Sequence, residues 1–191
     1  MKLCICSHNT HKVREINEFL GSHFELQSLT DIGCLEDIPE TATTFLGNAQ
    51  LKAQHVWKHY QLNGFSDDSG LCVGVLGGAP GVYSARYAGV GSKDSDNLKL
   101  ILEHIKPYQK PEAYFICVIV LILNGQEYHF EGRVSGHLIH TPRGTQGFGY
   151  DPIFVPEGHQ QTFAEMLPKQ KNELSHRSKA LAQLKNFLDA L

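Results

Sequence analysis

The run Ala113-Tyr114-Phe115-Ile116-Cys117-Val118-Ile119-Val120-Leu121-Ile122-Leu123, then Asn124-Gly125, then Gln126-Glu127-Tyr128-His129-Phe130-Glu131-Gly132-Arg133-Val134, decides the fold. Its first part is 11 apolar residues long, too short to cross a bilayer and the right length for a central strand. Asn-Gly tolerates positive φ at both central positions of a type I′ turn, so 113–123 and 127–134 are predicted to pair as a hairpin. A hairpin set among strand–helix units argues against a purely parallel sheet.

Strand–helix units are what the flanking sequence supplies. Residues 2–6 read as a short strand, and Val13, Ile16, Phe19 and Leu20 recur at helical spacing until Gly21. Residues 24–29 read as a second strand. A long helix follows over about 44–62, with Phe45, Ala49, Leu51, Ala53, Val56, Trp57 and Tyr60 as its buried stripe. Residues 71–76 read as a strand and 95–105 as a helix ended by Pro107. A Gly-rich loop over 141–149 precedes a closing helix over 175–191, capped by Ser175, with Leu181, Leu184, Phe187 and Leu188 on one side. The expected class is α/β: a mixed sheet flanked by helices, two lobes around an active-site cleft, one domain over 1–191.

The 191 residues, 41% of them hydrophobic and 19% charged, suffice for one substantial core. A net charge of -3 argues against a broad basic face for nucleic acid, while leaving room for a small anion held by a local group of Lys and Arg. The five cysteines are an odd set without a C-x-x-C pair and read as buried thiols in a reducing compartment. Only four apolar residues follow Lys2, so no signal-peptide core is legible, and a cytoplasmic location is expected.

Asp67-Asp68-Ser69-Gly70 places two carboxylates and a small hydroxyl between two apolar runs, and its composition reads as a turn at a strand edge. Magnesium prefers oxygen ligands and is usually held by one or two carboxylates plus substrate phosphates, so Asp67, Asp68 and Glu40 form a candidate Mg²⁺ set. One Asp would take the proton of an attacking water. Ser7-His8-Asn9-Thr10-His11-Lys12 lies between a strand and a helix, where backbone N–H groups and a lysine suit phosphate. Its plainer reading is a helix cap, and it lacks the glycines of a Walker loop. Lys52 is a further phosphate candidate. His55 and His59 are spaced i, i+4 but lack the glutamate of a zinc-hydrolase helix, and read as surface histidines.

In Gly147-Phe148-Gly149-Tyr150-Asp151-Pro152 the glycines free the backbone, Phe148 offers a stacking face and Asp151 an acceptor, which suits a heterocyclic base. Lys171, His176 and Arg177 supply donors. A purine with a 6-keto oxygen satisfies them, whereas the amino group of adenine would face them unpaired.

These segments, in this order, with Glu40-Thr41-x-x-Thr44-Phe45-x-x-Asn48-Ala49-x-x-Lys52-Ala53 and Gly78-Ala79-Pro80-Gly81-Val82-Tyr83-Ser84-Ala85-Arg86-Tyr87, resemble the inosine triphosphate (dITP/XTP) pyrophosphatase family over about 3–188. The resemblance implies an elongated mixed sheet, a homodimer, Mg²⁺, and hydrolysis of ITP, dITP and XTP to monophosphate and pyrophosphate. Carried over, it implies phosphate contacts from Ser7, His8, Asn9, Thr10, His11 and Lys12, a catalytic or metal role for Asp68 and a substrate contact for Ser69. It further implies metal ligation by Glu40, and a base pocket of Phe148, Gly149, Tyr150 and Asp151 closed by Lys171, His176 and Arg177. This sequence has Ala42 where the family usually has glycine, Gln146 where it often has glycine, and Ser7 where Thr is common. The alternative from another class is a non-catalytic nucleotide-binding module; within catalysis the structurally similar Maf-like nucleotide pyrophosphatases are a second reading, from which the Phe-Gly-Tyr-Asp and Ser-His-Arg segments point away.

Overall fold

A computed structural model describes residues 1–21 and 23–191. Six strands form one sheet in the order β2-β1-β3-β4-β5-β6. They are β1 Lys2–Ile5, β2 Glu25–Ser28, β3 Gly64–Val73, β4 Glu112–Leu123, β5 Gln126–Leu138 and β6 Phe154–Pro156. β1 runs parallel to both β2 and β3, and β5 runs antiparallel to β6, so the sheet is mixed as expected. The β4–β5 turn has Asn124 at φ 50° and Gly125 at φ 82°, the positive pair a type I′ hairpin requires.

The helices are α1 Thr10–Leu20, α2 Phe45–Tyr60, α3 Asp94–Ile105, α4 Pro168–Leu174 and α5 His176–Asp189. Sequence periodicity missed α4, which is only two turns long. Pro168 opens it, and the Leu167 N–H is received by Gln170 Oε1 at 3.0 Å. Ser175 therefore separates two helices, in extended conformation. The segment around Tyr83 is a 3-10 helix, Gly81–Arg86.

The described residues fall into two compact units. Unit 1 comprises 1–68, 117–132 and 178–191; unit 2 comprises 69–116 and 133–177. Unit 1 is built on Leu3, Ile5, Ile16, Leu20, Phe65 and Ile119, with Leu181, Leu184 and Leu188 of α5 packed among them. The apolar stripe predicted for α5 is this contact. Unit 2 is built on an aromatic cluster, in which Phe115, Phe154 and Phe163 have ring centroids 4.8–6.0 Å apart.

Two local readings are corrected. The tetrapeptide Asp67-Asp68-Ser69-Gly70 is not a turn: it lies inside the continuous ten-residue strand β3. Turn-forming composition yields because Ser66 Oγ bonds to the Ala49 carbonyl and the strand is buried at Gly64, Phe65, Ser66, Asp67 and Asp68. On α2 the buried positions are Asn48, Ala49, Lys52, Ala53 and Val56, while Leu51 is 37% exposed. Two polar residues thus occupy the face on which hydropathy had placed leucine.

Candidate active site

The sequence-predicted residues collect in two clusters, one in each unit. In unit 1 the cause is strand alternation: successive side chains of β3 leave on opposite faces, so the adjacent carboxylates part company. Asp67 Oδ2 is 3.3 Å from Lys12 Nζ of α1 and accepts a hydrogen bond from Cys117 Sγ at 3.8 Å. Asp68 turns to α2 instead. Its Oδ1 lies 3.7 Å from Lys52 Nζ and its Oδ2 accepts from Asn48 Nδ2 at 3.2 Å.

Lys52 gathers this cluster. Its ammonium is 2.7 Å from Glu40 Oε1 and donates to the Asp67 carbonyl at 2.7 Å. Burial works to discharge it, but Asp68, Glu40 and Asp67 outweigh that and raise its pKa, so it stays a cation. Asp68 shows the opposite balance. Burial pushes its carboxyl above the ordinary range, against the pull of Lys52 and Lys12, and Glu40 adds to the rise.

Asn48, quoted in the family motif but given no role there, joins the loop to the strand. It is fully buried, accepts the Ala42 N–H on Oδ1 at 2.9 Å and donates to Asp68. Its i, i+4 relation to Lys52, beside the small residues Ala49 and Ala53, is the signal that could have found it. Ala42 bears on the same corner: a Cβ at Gly47 would stand 2.6 Å from the Ala42 methyl.

The Ser7–Lys12 segment folds as a capped helix end. Asn9 is the N-cap and receives the Lys12 N–H at 3.1 Å, while the Asn9 N–H donates to Ser7 Oγ at 3.2 Å. Ser7 is buried; His8, Asn9, Thr10 and His11 are exposed. The cap and the anion-binding readings are compatible, because capping leaves other first-turn N–H groups for a ligand.

In unit 2 Asp151 organises the base-pocket candidates. Its Oδ2 accepts the Phe148 N–H at 2.9 Å and pairs with Lys171 Nζ at 2.8 Å. Gly147, at φ 76°, has no room for a side chain, since a Cβ would come within 2.0 Å of that same oxygen. The half-buried Phe148 ring has Lys171 Nζ 5.1 Å and Arg177 Cζ 5.8 Å from its centroid. Arg177 donates to Ser69 Oγ at 2.8 Å, and the Gly149 N–H donates to Asp94 Oδ2 at 2.8 Å.

Tyr150 and His176 have core partners. Tyr150 is a core residue whose hydroxyl donates to the Ser84 carbonyl at 2.8 Å, and burial raises its phenol pKa. His176 stacks on Phe115, centroids 4.8 Å apart at 11°.

Carboxylates meshed with lysines in one unit and an aromatic ring flanked by two cations in the other define an α/β protein equipped to handle a nucleotide. The chain belongs to the Ham1 family, whose model matches residues 3–187. It is 48% identical to a dITP/XTP pyrophosphatase of Porphyromonas gingivalis over 188 residues, 98% of this chain and 97% of that one. A dITP/XTP pyrophosphatase of Christiangramia forsetii is 46% identical over 98% and 99% of the two chains. Among solved structures, a HAM1 protein from Coxiella burnetii superposes with a TM-score of 0.92 at 38% identity, covering 100% of both chains. The Staphylococcus aureus Ham1 protein gives 0.90 at 34%, covering 100% and 99%.

Proposed function

We propose that this chain hydrolyses noncanonical purine nucleoside triphosphates, ITP, dITP and XTP, to the nucleoside monophosphate and pyrophosphate. The observation that carries the reading is that Glu40 and Asp68, from a loop and a strand, both approach one cationic point, the Lys52 ammonium at 2.7 and 3.7 Å. Nucleotide pyrophosphatases generally need a divalent metal. The donor set here is all carboxylate oxygen, which fits a hard cation, and we assign Mg²⁺ to Glu40 and Asp68; Asp67, whose side chain leaves β3 on the other face against Lys12, is not placed to share it. When bound, the ion would neutralise phosphate charge and polarise the scissile group.

The protein's own groups do the rest. Asp68, its carboxyl raised by burial, is suited to accept a proton from water. The water oxygen bonds to phosphorus, the α–β bridging P–O bond breaks, the pyrophosphate leaves and the water proton passes to Asp68. Lys12, Lys52 and the helix end at Ser7, His8, Asn9, Thr10 and His11 take the phosphate charge. Phe148 stacks on the purine, while Lys171 and Arg177 face its 6-keto oxygen; Asp151, Tyr150, Gly149, Ser69 and His176 hold that pocket in shape. An adenine amino group facing such donors leaves them unsatisfied at about 1–3 kcal/mol, a factor of roughly 5 to 150.

Incubation with ITP, XTP, GTP and ATP plus Mg²⁺ tests the reading. Pyrophosphate and monophosphate from ITP and XTP are expected; equal rates on all four, or orthophosphate as first product, overturn it. Nucleotide binding without product would favour the non-catalytic module. We further propose a cytoplasmic homodimer, for which light scattering should give twice the 21.3 kDa chain mass. Among the described residues no helix is long and apolar enough to cross a membrane.

A further inference from the structure

Outside the Asp68 cluster, still within unit 1, three side chains of different chemistry converge. Cys34 and Glu36 lie on the loop after β2, and His55 lies on α2. The His55 Nε2 is 3.0 Å from Glu36 Oε1 and 4.0 Å from Cys34 Sγ. All three potential ligand atoms lie within 4.8 Å of one another. We propose that Cys34, Glu36 and His55 form a second metal site, for one zinc-type divalent cation, distinct in place and chemistry from the hard-oxygen set at Glu40 and Asp68.

The donor types choose the metal. A thiolate with an imidazole and one carboxylate favours Zn²⁺ over Mg²⁺, which takes oxygen almost exclusively. With Zn–S of about 2.3 Å and Zn–N of about 2.0 Å, tetrahedral bonding sets the sulfur and nitrogen roughly 3.5 Å apart. Small movements of the ligands reach that geometry. The Glu36 side chain is 66% exposed and adjusts freely, whereas Cys34 is fully buried.

The ligand-bearing backbone is already held. The Cys34 N–H bonds to the Leu29 carbonyl at 2.9 Å, and His8 Nε2 lies 3.0 Å from the Glu36 carbonyl. The His55 imidazole packs against the His59 ring, centroids 4.5 Å apart. On ligation the Cys34 thiol proton leaves to solvent and His55 binds through Nε2 as the Nδ1-protonated tautomer. Three protein ligands would leave the fourth position of a tetrahedral ion to a water.

Untagged full-length protein, stripped with chelator and titrated with Co²⁺ and then Zn²⁺, tests this by spectroscopy, independently of hydrolysis. One equivalent of Co²⁺ should give a near-ultraviolet thiolate charge-transfer band that Zn²⁺ abolishes. Cys34→Ser should remove the band, and His55→Gln should weaken Zn²⁺ binding at least tenfold. Glu36→Gln, at an exposed side chain that leaves folding untouched, should weaken it several-fold and decides the matter if Cys34→Ser does not fold. Absence of the band in wild type, a band that survives Cys34→Ser, or Zn²⁺ affinity unchanged by both His55→Gln and Glu36→Gln overturns the proposal.

Discussion

Asp68 combines two opposed demands in one side chain. Its folded pKa is raised by burial, so its contribution to stability is present below the ordinary carboxylate value near 4 and is lost as pH rises through the folded value. Asp68→Asn should therefore lower kcat by about 10²- to 10⁴-fold while leaving the pH 7 melting temperature equal to or above that of wild type. The gain should vanish toward pH ~4, where the wild-type carboxyl is protonated as well. Calorimetry across pH, beside turnover assays, reads both. Arg177→Ala, which removes a cation over Phe148 and the bond to Ser69, should raise the relative rate on ATP more than it lowers kcat on ITP. Unchanged selectivity would take Arg177 out of base recognition.

Among the elements, α2 carries the chemistry and the hairpin carries the framework. Gly47 sits in the first turn of α2, where alanine would gain about 0.5–1 kcal/mol of helix propensity but meet the Ala42 methyl at 2.6 Å. Gly47→Ala should thus displace the loop leading to Glu40 and reduce turnover, and Ala42→Gly in the same chain should restore it. A double-mutant cycle measures that coupling; additive effects would refute the contact. At the other end of the sheet, Gly125→Ala forces φ 82° on a side chain and crowds Trp57 at 3.3 Å. A loss of about 1–2 kcal/mol follows, or roughly 2–4 °C per kcal/mol in a chain of this size, with turnover unchanged. The hairpin was legible because two residues state their own dihedral needs. The α2 face was not, because Asn48 and Lys52 are buried by partners, Ala42, Glu40 and Asp68, that lie elsewhere in the chain.

For the molecule as a whole, composition foretold the burial of the five cysteines correctly: all are buried thiols. A thiol reagent should consequently titrate Cys4, Cys6, Cys72 and Cys117 only at the rate of unfolding, and reductant should leave the melting temperature unchanged. The mixed sheet was readable from periodicity and one turn. The sorting of polar residues into two clusters was not, since Asp-Asp-Ser-Gly has the composition of a turn and what keeps it extended, burial inside the sheet and partners such as Lys12, Lys52, Asn48 and Arg177, lies far away in the sequence. That extension has a consequence for how this protein can change. Which neighbouring aspartate meets Lys12 and which meets Lys52 is a matter of odd and even positions along β3, so side chains there can be exchanged one at a time, whereas losing or gaining a single residue ahead of Asp67 would swap the pair and silence the enzyme with every carboxylate still present.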